Sequence, residues 1–384
     1  MTWFFVIVLV NLFLLFWLYL GYHLFLCFLS TVSPKEIKPR FDKLPPISLV
    51  ITVHNEESFI EKKIKNTREL NYDPSKLEII VVDDNSSDRT REIIRKFEDI
   101  KLIHKKERSG KAHSVNLGTR EAKNEIVVVS DGNALLNKDA LKRVAGYFYH
   151  LKVGAVTGIF QPLARESTGV EQSEGVFWKL DKYDLKFESD WDSAVYTCGQ
   201  ITAFRKDLMP KVNEDNLTED FEFALSIRKR GYRVICDPLA VSQKYPCGSE
   251  RDMLIQRKRR GIGTLQTLFG FRSILFNPRY GMFGLVFLPS HKLLQMLSPF
   301  LIFFLYTLTI WGTLASESFF WEILLILELA FLLLGVVAFA LRKVLSFLSI
   351  FYLFWFGQWI VLVSWFDYLR GDYTVTWQQI KSSR

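Results

Sequence analysis

Residues 3–30 carry no charged side chain, and that stretch limits what the chain can fold into more than any other feature. A helix of that length, rising about 1.5 Å per residue, exceeds the ~30 Å hydrocarbon core of a bilayer and can cross it with tilt. A cleaved signal peptide would need a basic start, a shorter apolar stretch and a small-residue cleavage site. The sequence offers none of these, so a retained span is expected. Three more apolar stretches follow at about 293–312, 321–341 and 345–366, whereas residues 46 to about 250 read as mixed α/β sequence.

The formal net charge of +8 is not spread evenly. Lys35, Lys38, Arg40 and Lys43 follow the first apolar stretch; Arg251, Arg257, Lys258, Arg259, Arg260, Arg272 and Arg279 precede the later ones. Basic residues flanking spans mark the cytoplasmic side, which places residues 31–292 there. A basic protein can also bind nucleic acid, but beside four spans the lipid surface explains the charge more simply, and no nucleic-acid partner is expected. One conflict remains within the sequence. Four crossings from an outside amino terminus put Arg370, Lys381 and Arg384 outside, against the charge rule. Either the tail returns to the surface or one late stretch does not cross. Cys27, Cys198, Cys236 and Cys247 have no CxxC or Cys/His spacing, so neither disulfides nor structural zinc are expected in a reducing compartment. The glycosylation sequons at Asn85 and Asn216 would be idle there.

Pro34, Pro39, Pro45 and Pro46 mark a linker. Alternation follows. Ser48–Val53, Glu78–Val82 and Ile126–Ser130 are β-branched runs that predict buried strands, and Lys101–His104 predicts a short one. Glu57–Leu70, Asp88–Phe97, Lys111–Lys123 and Lys138–His150 predict helices, the second with Ser86 or Ser87 as cap. Strands and helices alternating at this length predict a parallel, doubly wound sheet, whose ligands bind at the carboxyl ends of the strands. Polar clusters stand at three such ends: His54-Asn55-Glu56-Glu57, Asp83-Asp84-Asn85 and Asp131-Gly132-Asn133.

Each cluster has an ordinary explanation when taken alone. Asp131-Gly132-Asn133 suits a turn, or else a hard-oxygen site where a divalent ion bridges phosphates. Asp83-Asp84 suits a helix cap, or acceptors for a base or ribose. Ser109-Gly110-Lys111 suits a solvated helix start, or a phosphate contact; it lacks the spacing of a P-loop. Thr218-Glu219-Asp220 suits a helix start capped by Thr218, with carboxylates stabilised at its amino end, or a general base. Gln256 to Arg260 suits a basic helix at the membrane surface.

In this order, however, the motifs HNEE, VVDDNSSD, SGKAHSVN, SDGN, CGQITAFRK, TED and QRKRR resemble the membrane-bound members of glycosyltransferase family 2, which include cellulose, chitin, hyaluronan and poly-N-acetylglucosamine synthases. The resemblance runs from about Ser48 to Lys292. It implies a GT-A fold, that is, a Rossmann-like α/β catalytic domain with a mostly parallel sheet, joined to α-helical transmembrane segments. It also implies inverting transfer from a nucleotide sugar, most often a uridine one, to a glycan or lipid-linked acceptor, with Mg²⁺ or Mn²⁺. By similarity, Thr52, Glu56 and Asp84 hold the nucleoside and Lys111 lies near the nucleotide. Asp131 and Asn133 match the metal motif. Gln200, Phe204 and Arg205 fall in the acceptor-side motif, beside which Glu219 stands. Asp220 matches the catalytic base, and Gln256 and Arg259 match the gating motif.

Two positions depart from the family pattern. Asn133 stands where the metal motif ends in Asp, which weakens the metal site. Arg260 stands where polymerising members carry a Trp beneath the acceptor sugar, so short products or single transfers are expected. The implied organisation is a transmembrane helix at 1–30, a linker at 31–45, the cytoplasmic catalytic domain at 46–250, a basic interface and gating segment at 251–292, three transmembrane helices at 293–366 and a tail at 367–384. The leading expectation is extension of a polysaccharide, alone or with a partner subunit; the second is transfer of one sugar to a lipid. A catalytically inactive membrane subunit would be expected to have lost the base, yet Asp220 is present. A channel or transporter is disfavoured because the late spans carry only Glu322 and Glu328 as internal acids.

Overall fold

The structure, a computed structural model, describes residues 2–32, 35–163, 169–209, 211–245, 249–341 and 348–374. Pro34, Cys247, Lys381, Arg384 and the beginning of the last apolar stretch lie outside these residues. The first apolar run forms helices α1 (Thr2–Phe16) and α2 (Tyr22–Val32), joined by a wide π turn. The chain then alternates through β1 (Ile47–Val53), α3 (Ile60–Arg68), β2 (Leu77–Asp83), α4 (Thr90–Ile94), β3 (Lys101–His104), α5 (Gly110–Glu121), β4 (Ile126–Asp131), β5 (Leu135–Leu136), α6 (Ala140–Ala145), β6 (Val153–Pro162), α7 (Gly169–Trp191), β7 (Thr202–Arg205), α8 (Glu219–Lys229) and β8 (Arg233–Lys244). It finishes with α9 (Glu250–Gly270), α10 (Leu294–Ala315), α11 (Phe319–Leu341) and α12 (Ser349–Arg370).

The sheet has eight strands in the order β3-β2-β1-β4-β7-β6-β8-β5. β1, β2, β3 and β4 are parallel neighbours, as the β-branched runs predicted, and β6 pairs parallel with β8. β7 runs antiparallel between β4 and β6, and β5 runs antiparallel beside β8. The sheet is therefore mixed rather than wholly parallel. All seven residues of β1 are buried, because helices cover both faces. On one face α5 lies flush against the strands: a Cβ on Gly118 would stand 2.3 Å from Val50 Cγ1 and 3.0 Å from Val82 Cγ2.

Two expected caps are not formed. Helix α4 begins at Thr90 rather than Asp88, and the Asp88 carboxylate, not Ser86 or Ser87, accepts from Thr90 N (3.0 Å). Thr218 occupies the position before α8, but its hydroxyl makes no capping bond and instead lies 3.4 Å from Asn216 Oδ1 and from Thr267 Oγ1.

Among the described residues, four helices are long and apolar enough to cross a membrane: Trp3–Val32, Phe283–Ala315, Phe319–Leu341 and Ser349–Arg370. The first runs antiparallel along α10. Phe4 meets Trp311 edge-on, Asn11 donates to Leu301 O (3.2 Å) and Trp17 donates to Ser290 Oγ (2.9 Å). α11 also runs antiparallel to α10, with Trp321 against Gly312 and Thr309 donating to Glu328 Oε1 (2.8 Å). α12 behaves differently. Ser298 donates to Gln358 Oε1 (2.8 Å), Trp365 donates to Met296 O (2.9 Å), and Phe300 meets the Trp365 ring. From Gln358 to Trp365 a helix rises about 10 Å, yet the partners on α10 stay within about one turn. α12 thus crosses α10 near its start. Its far end packs on α9, through Lys258 to Asp367 (2.5 Å) and Phe269 stacked on Tyr368.

The flush contact of α5 makes Gly118 a sensitive position. Gly118→Leu forces side-chain atoms into Val50 and Val82, and overpacking of this kind costs about 1–3 kcal/mol. The detergent-solubilised variant is expected to unfold several degrees below the parent in a thermal melt; equal melting temperatures would show that α5 can lift from the sheet freely.

Candidate active site

The carboxyl ends of the parallel strands bring the polar clusters together. The loops after β1 and β2 are stitched to each other: Asn55 N donates to Ser86 Oγ (2.9 Å), Ser87 N donates to Asn55 Oδ1 (2.7 Å), and Glu56 N donates to Thr90 Oγ1 (2.7 Å). Asn55 and Asn85 make these turns in the left-handed region, with φ of 52° and 55°, where Asn is tolerated. Thr52, the last residue but one of β1, accepts through its carbonyl from Gly132 N (3.1 Å), which fixes the turn after β4 against β1.

Asp84 is almost wholly buried. Its carboxylate accepts from Lys105 Nζ (2.5 Å), Ser109 N (2.9 Å) and Gly110 N (2.9 Å). Asp84 therefore anchors the first turn of α5, whose next residue is Lys111. The Lys111 ammonium sits 2.7 Å from Asp131 Oδ1, 2.6 Å from Glu219 Oε1 and 3.3 Å from Gly199 O. Burial pushes the Lys111 pKa down, but the two carboxylates outweigh it and raise it well above the ordinary lysine value. Burial likewise works to raise the Asp131 pKa, and Lys111 and Lys244 overcome this to hold it below the usual carboxylate range.

Asp220 follows Glu219 on α8. Its Oδ1 accepts from Phe221 N (2.9 Å), and a Cβ on Gly199 would stand 3.1 Å from Lys111 Nζ and 3.4 Å from Asp220 Oδ2. Burial and the adjacent Glu219 raise the Asp220 pKa; Lys111 and Arg260 oppose them without cancelling them. Glu222 points elsewhere, accepting from Asn213 N (3.1 Å) and Asn216 Nδ2 (2.7 Å).

A cavity of about 680 Å³ opens among these groups. Glu56, Lys111, Asp131, Asn133, Gln200, Glu219, Asp220, Gln256 and Arg259 all line it; Thr52 and Asp84 stand outside its lining. Cys198 Sγ donates to Gln200 Oε1 (2.8 Å) and so orients that amide. Phe204 and Arg205 are corrections to the sequence expectation. Because β7 runs antiparallel, Gln200 lies at the cavity end, whereas Arg205 pairs opposite Ile126 at the start of β4. Phe204 is packed in the core beside Phe223, and Arg205 donates to Val153 O (2.9 Å) and Phe148 O (2.8 Å).

Other residues went unrecognised in the sequence. Lys63 is fully buried and donates to Ser130 Oγ (2.7 Å) and Ala134 O (2.6 Å), bracing the turn that carries Asp131; burial lowers its pKa to about 7. Its place on the buried stripe Ile60, Lys63, Ile64 and Thr67 of α3 was the available signal. Lys292 and Tyr196 also line the cavity beside Arg260, but they come from two distant segments and no spacing joins them to it.

Among the described residues no three His, Cys, Asp or Glu side chains are grouped to hold a metal. Mg²⁺ and Mn²⁺ do not require such a cage, since one or two protein oxygens and substrate phosphates can complete the shell. The Asp131 carboxylate and the Asn133 amide oxygen, both on the cavity wall, fit an ion that arrives with a diphosphate.

Residues 48–212 match the family model described as Glycosyl transferase family 2. The chain is 28% identical over 262 residues to a poly-β-1,6-N-acetyl-D-glucosamine synthase of Staphylococcus aureus, covering 64% of this chain and 61% of the synthase, so it spans about three-fifths of that relative's length. It is 26% identical over 336 residues to a probable glycosyltransferase of Bacillus subtilis, covering 80% of this chain and 74% of the relative. In fold it is similar to a mannosyltransferase of Pyrobaculum calidifontis solved with GDP-mannose and Mn²⁺, with a TM-score of 0.75 at 22% identity, covering 95% of this chain and 99% of the other. Residues 48–212 thus resemble a glycosyltransferase family 2 domain, the sheet is GT-A-like in fold, and four apolar helices accompany it among the described residues.

Lys111 bonded to Asp131 is a cation in the position a metal would contest. Removing it as Lys111→Met is expected to raise Mn²⁺ affinity in the absence of nucleotide by at least about tenfold, given the size of charge interactions at such distances. A Mn²⁺ titration followed by paramagnetic resonance reads this directly; unchanged affinity would mean that Asp131 is not a ligand.

Proposed function

We propose that this chain transfers a glycosyl group, with inversion, from a nucleotide sugar to an acceptor at the membrane. The observation that carries this reading is the single cavity that gathers Asp220, Lys111, Asp131 with Asn133, and Arg259 from separate segments. The likeness to a synthase and to a mannosyltransferase holding GDP-mannose and Mn²⁺ supports it. In this reading the nucleoside lies against the ends of β1 and β2, where Thr52, Glu56 and Asp84 stand. Asp131 and Asn133 would hold Mg²⁺ or Mn²⁺, which would supply positive charge toward the diphosphate. Lys111, Arg259 and Arg260 add cationic side chains toward the same leaving group. The acceptor hydroxyl attacks the anomeric carbon from the face opposite the diphosphate, the carbon–oxygen bond to the diphosphate breaks with its electron pair leaving on the phosphate oxygen, and Asp220 receives the hydroxyl proton. Gln200, Glu219 and Gln256 form the wall on the acceptor side.

Asp220→Asn keeps the shape and removes the proton acceptor. Turnover is expected to fall on the order of a hundredfold or more, with nucleotide affinity little changed. Because the carboxylate form is the active one and its pKa is raised, the acidic limb of the kcat/KM profile lies above the ordinary Asp range. Arg260→Gln removes a charge that lowers that pKa, so it should move the limb to higher pH. Parent-like turnover in Asp220→Asn places the base elsewhere.

We further place the catalytic domain on the cytoplasmic side, with the helices at Trp3–Val32, Phe283–Ala315 and Phe319–Leu341 crossing the bilayer and α12 lying along its inner surface. The basic flanks of the catalytic domain support this, as does the way α12 crosses α10 and packs on α9. α12 is the least apolar of the four helices. The helix also bears Trp355, Trp359, Trp365 and Tyr368, residue types that favour the interface. This arrangement returns Arg370 to the cytoplasmic side and removes the conflict with the charge rule. Cysteines introduced at Arg89, Arg230 and Asp372 should react with an impermeant maleimide only after cells are permeabilised. Labelling of Asp372→Cys alone in intact cells restores a fourth crossing, and labelling of the other two overturns the orientation.

A further inference from the structure

The cavity does not follow the membrane helices across the bilayer. Its lining on the first helix begins at Leu18, and on the α10 side it ends at Ser298. From Ser298 to Ala315 a helix rises about another 25 Å, and there the first helix, α10 and α11 close on one another through a cluster of Val8, Leu305 and Trp321, all buried. α12 forms the remaining wall, from Ile350 to Val361. One end of the cavity is therefore ionic, with Asp220, Arg260 and Lys292. The other carries Leu18, Met296, Leu353 and Phe354 beside Gly357, and the polar groups among them, Tyr19, Ser298 and Gln358, are hydrogen-bonded to one another. A hydrophilic polymer crossing the membrane would need a lined path along the length of α10. This cavity does not supply one.

The geometry points to a membrane lipid of the cytoplasmic leaflet as the acceptor, with its hydroxyl-bearing head at Asp220 and its chain against Leu353 and Phe354. This inference rests on the proposed glycosyl transfer and names its acceptor class. The presence of a base selects among lipids: a lipid phosphate arrives already ionised and gains nothing from a proton acceptor, whereas an alcohol must lose its proton as it attacks. The lipid oxygen bonds to the anomeric carbon, the bond to the nucleotide diphosphate breaks, and the proton passes to Asp220, leaving a glycolipid in the same leaflet.

Gly357 provides the test, because a Cβ there meets nothing within 4 Å, so Gly357→Trp can fill this end of the cavity without displacing backbone. The full chain would be reconstituted in phosphatidylcholine nanodiscs containing diacylglycerol with a diazirine on its acyl chain. Photolabel is expected on Leu18, Leu353 or Phe354. In Gly357→Trp it should disappear there and persist on Phe303 and Leu333, which are 73% and 62% exposed toward the surroundings. In parallel, radiolabelled UDP-glucose, UDP-N-acetylglucosamine and GDP-mannose would be supplied with unmodified diacylglycerol. Sugar label is expected in the chloroform–methanol extract, and at least tenfold less with Gly357→Trp. Photolabel confined to the outward residues, or sugar recovered as water-soluble polymer with nucleotide diphosphate released, overturns the lipid acceptor and leaves glycosyl transfer standing. Cavity labelling with no sugar transferred to any product overturns the transfer reading itself, and the acceptor role with it.

Discussion

The Lys111 ammonium, held between Asp131 and Glu219, is the contact on which the site depends. It joins three elements distant in sequence: the start of α5, the end of β4 and the start of α8. A charge buried this far stays only where partners surround it, and stripping one partner from a buried pair typically costs about 3–5 kcal/mol. The constraint reaches backward as well. Lys111 is where it is because Asp84 captures Ser109 N and Gly110 N, and Asp84 is itself neutralised by Lys105. Two buried ammonium–carboxylate contacts, one behind the other, thus set the position of a single helix turn.

Asp220 gains its character from this arrangement. It lies next to Glu219, whose charge is met by Lys111, and near Arg260 from α9. Two adjacent carboxylates would otherwise repel each other and one would take up a proton. With Glu219 paired, Asp220 is the acid left to exchange one. Its raised pKa follows mainly from burial, opposed by the neighbouring cations, and a base with a pKa nearer the working pH transfers protons more effectively.

Helix α9 couples this chemistry to the membrane. One side of the basic segment faces the cavity through Gln256, Arg259 and Arg260, while Lys258 turns to Asp367 on α12. Helical periodicity separates the two roles. α12 in turn lines the cavity from Ile350 to Val361, so the two helices that meet at Lys258 and Asp367 both face it.

The sequence by itself determined the local elements and the chemistry they carry. β-branched runs placed the strands within a residue or two, because a strand buried on both faces must be apolar throughout. The strand-end clusters placed Glu56, Asp131 and Asn133 on one cavity, because parallel strands deliver their carboxyl ends to one edge. Apolar length identified the candidate membrane helices, and the charge pattern already set the basic tail against a fourth crossing. What depends on strand direction was not legible. Gln200 and Arg205 share one motif, but only the antiparallel setting of β7 sends the first to the cavity and the second to the opposite edge. Thr218 has a capping side chain, yet a neighbour from α9, Thr267, comes within reach of it. The pairing of Lys111, the bracing by Lys63 and the crosswise course of α12 belong to the tertiary structure alone. Each depends on groups far apart in the chain, brought into contact because burying a charge or an apolar face demands a partner that local sequence does not specify.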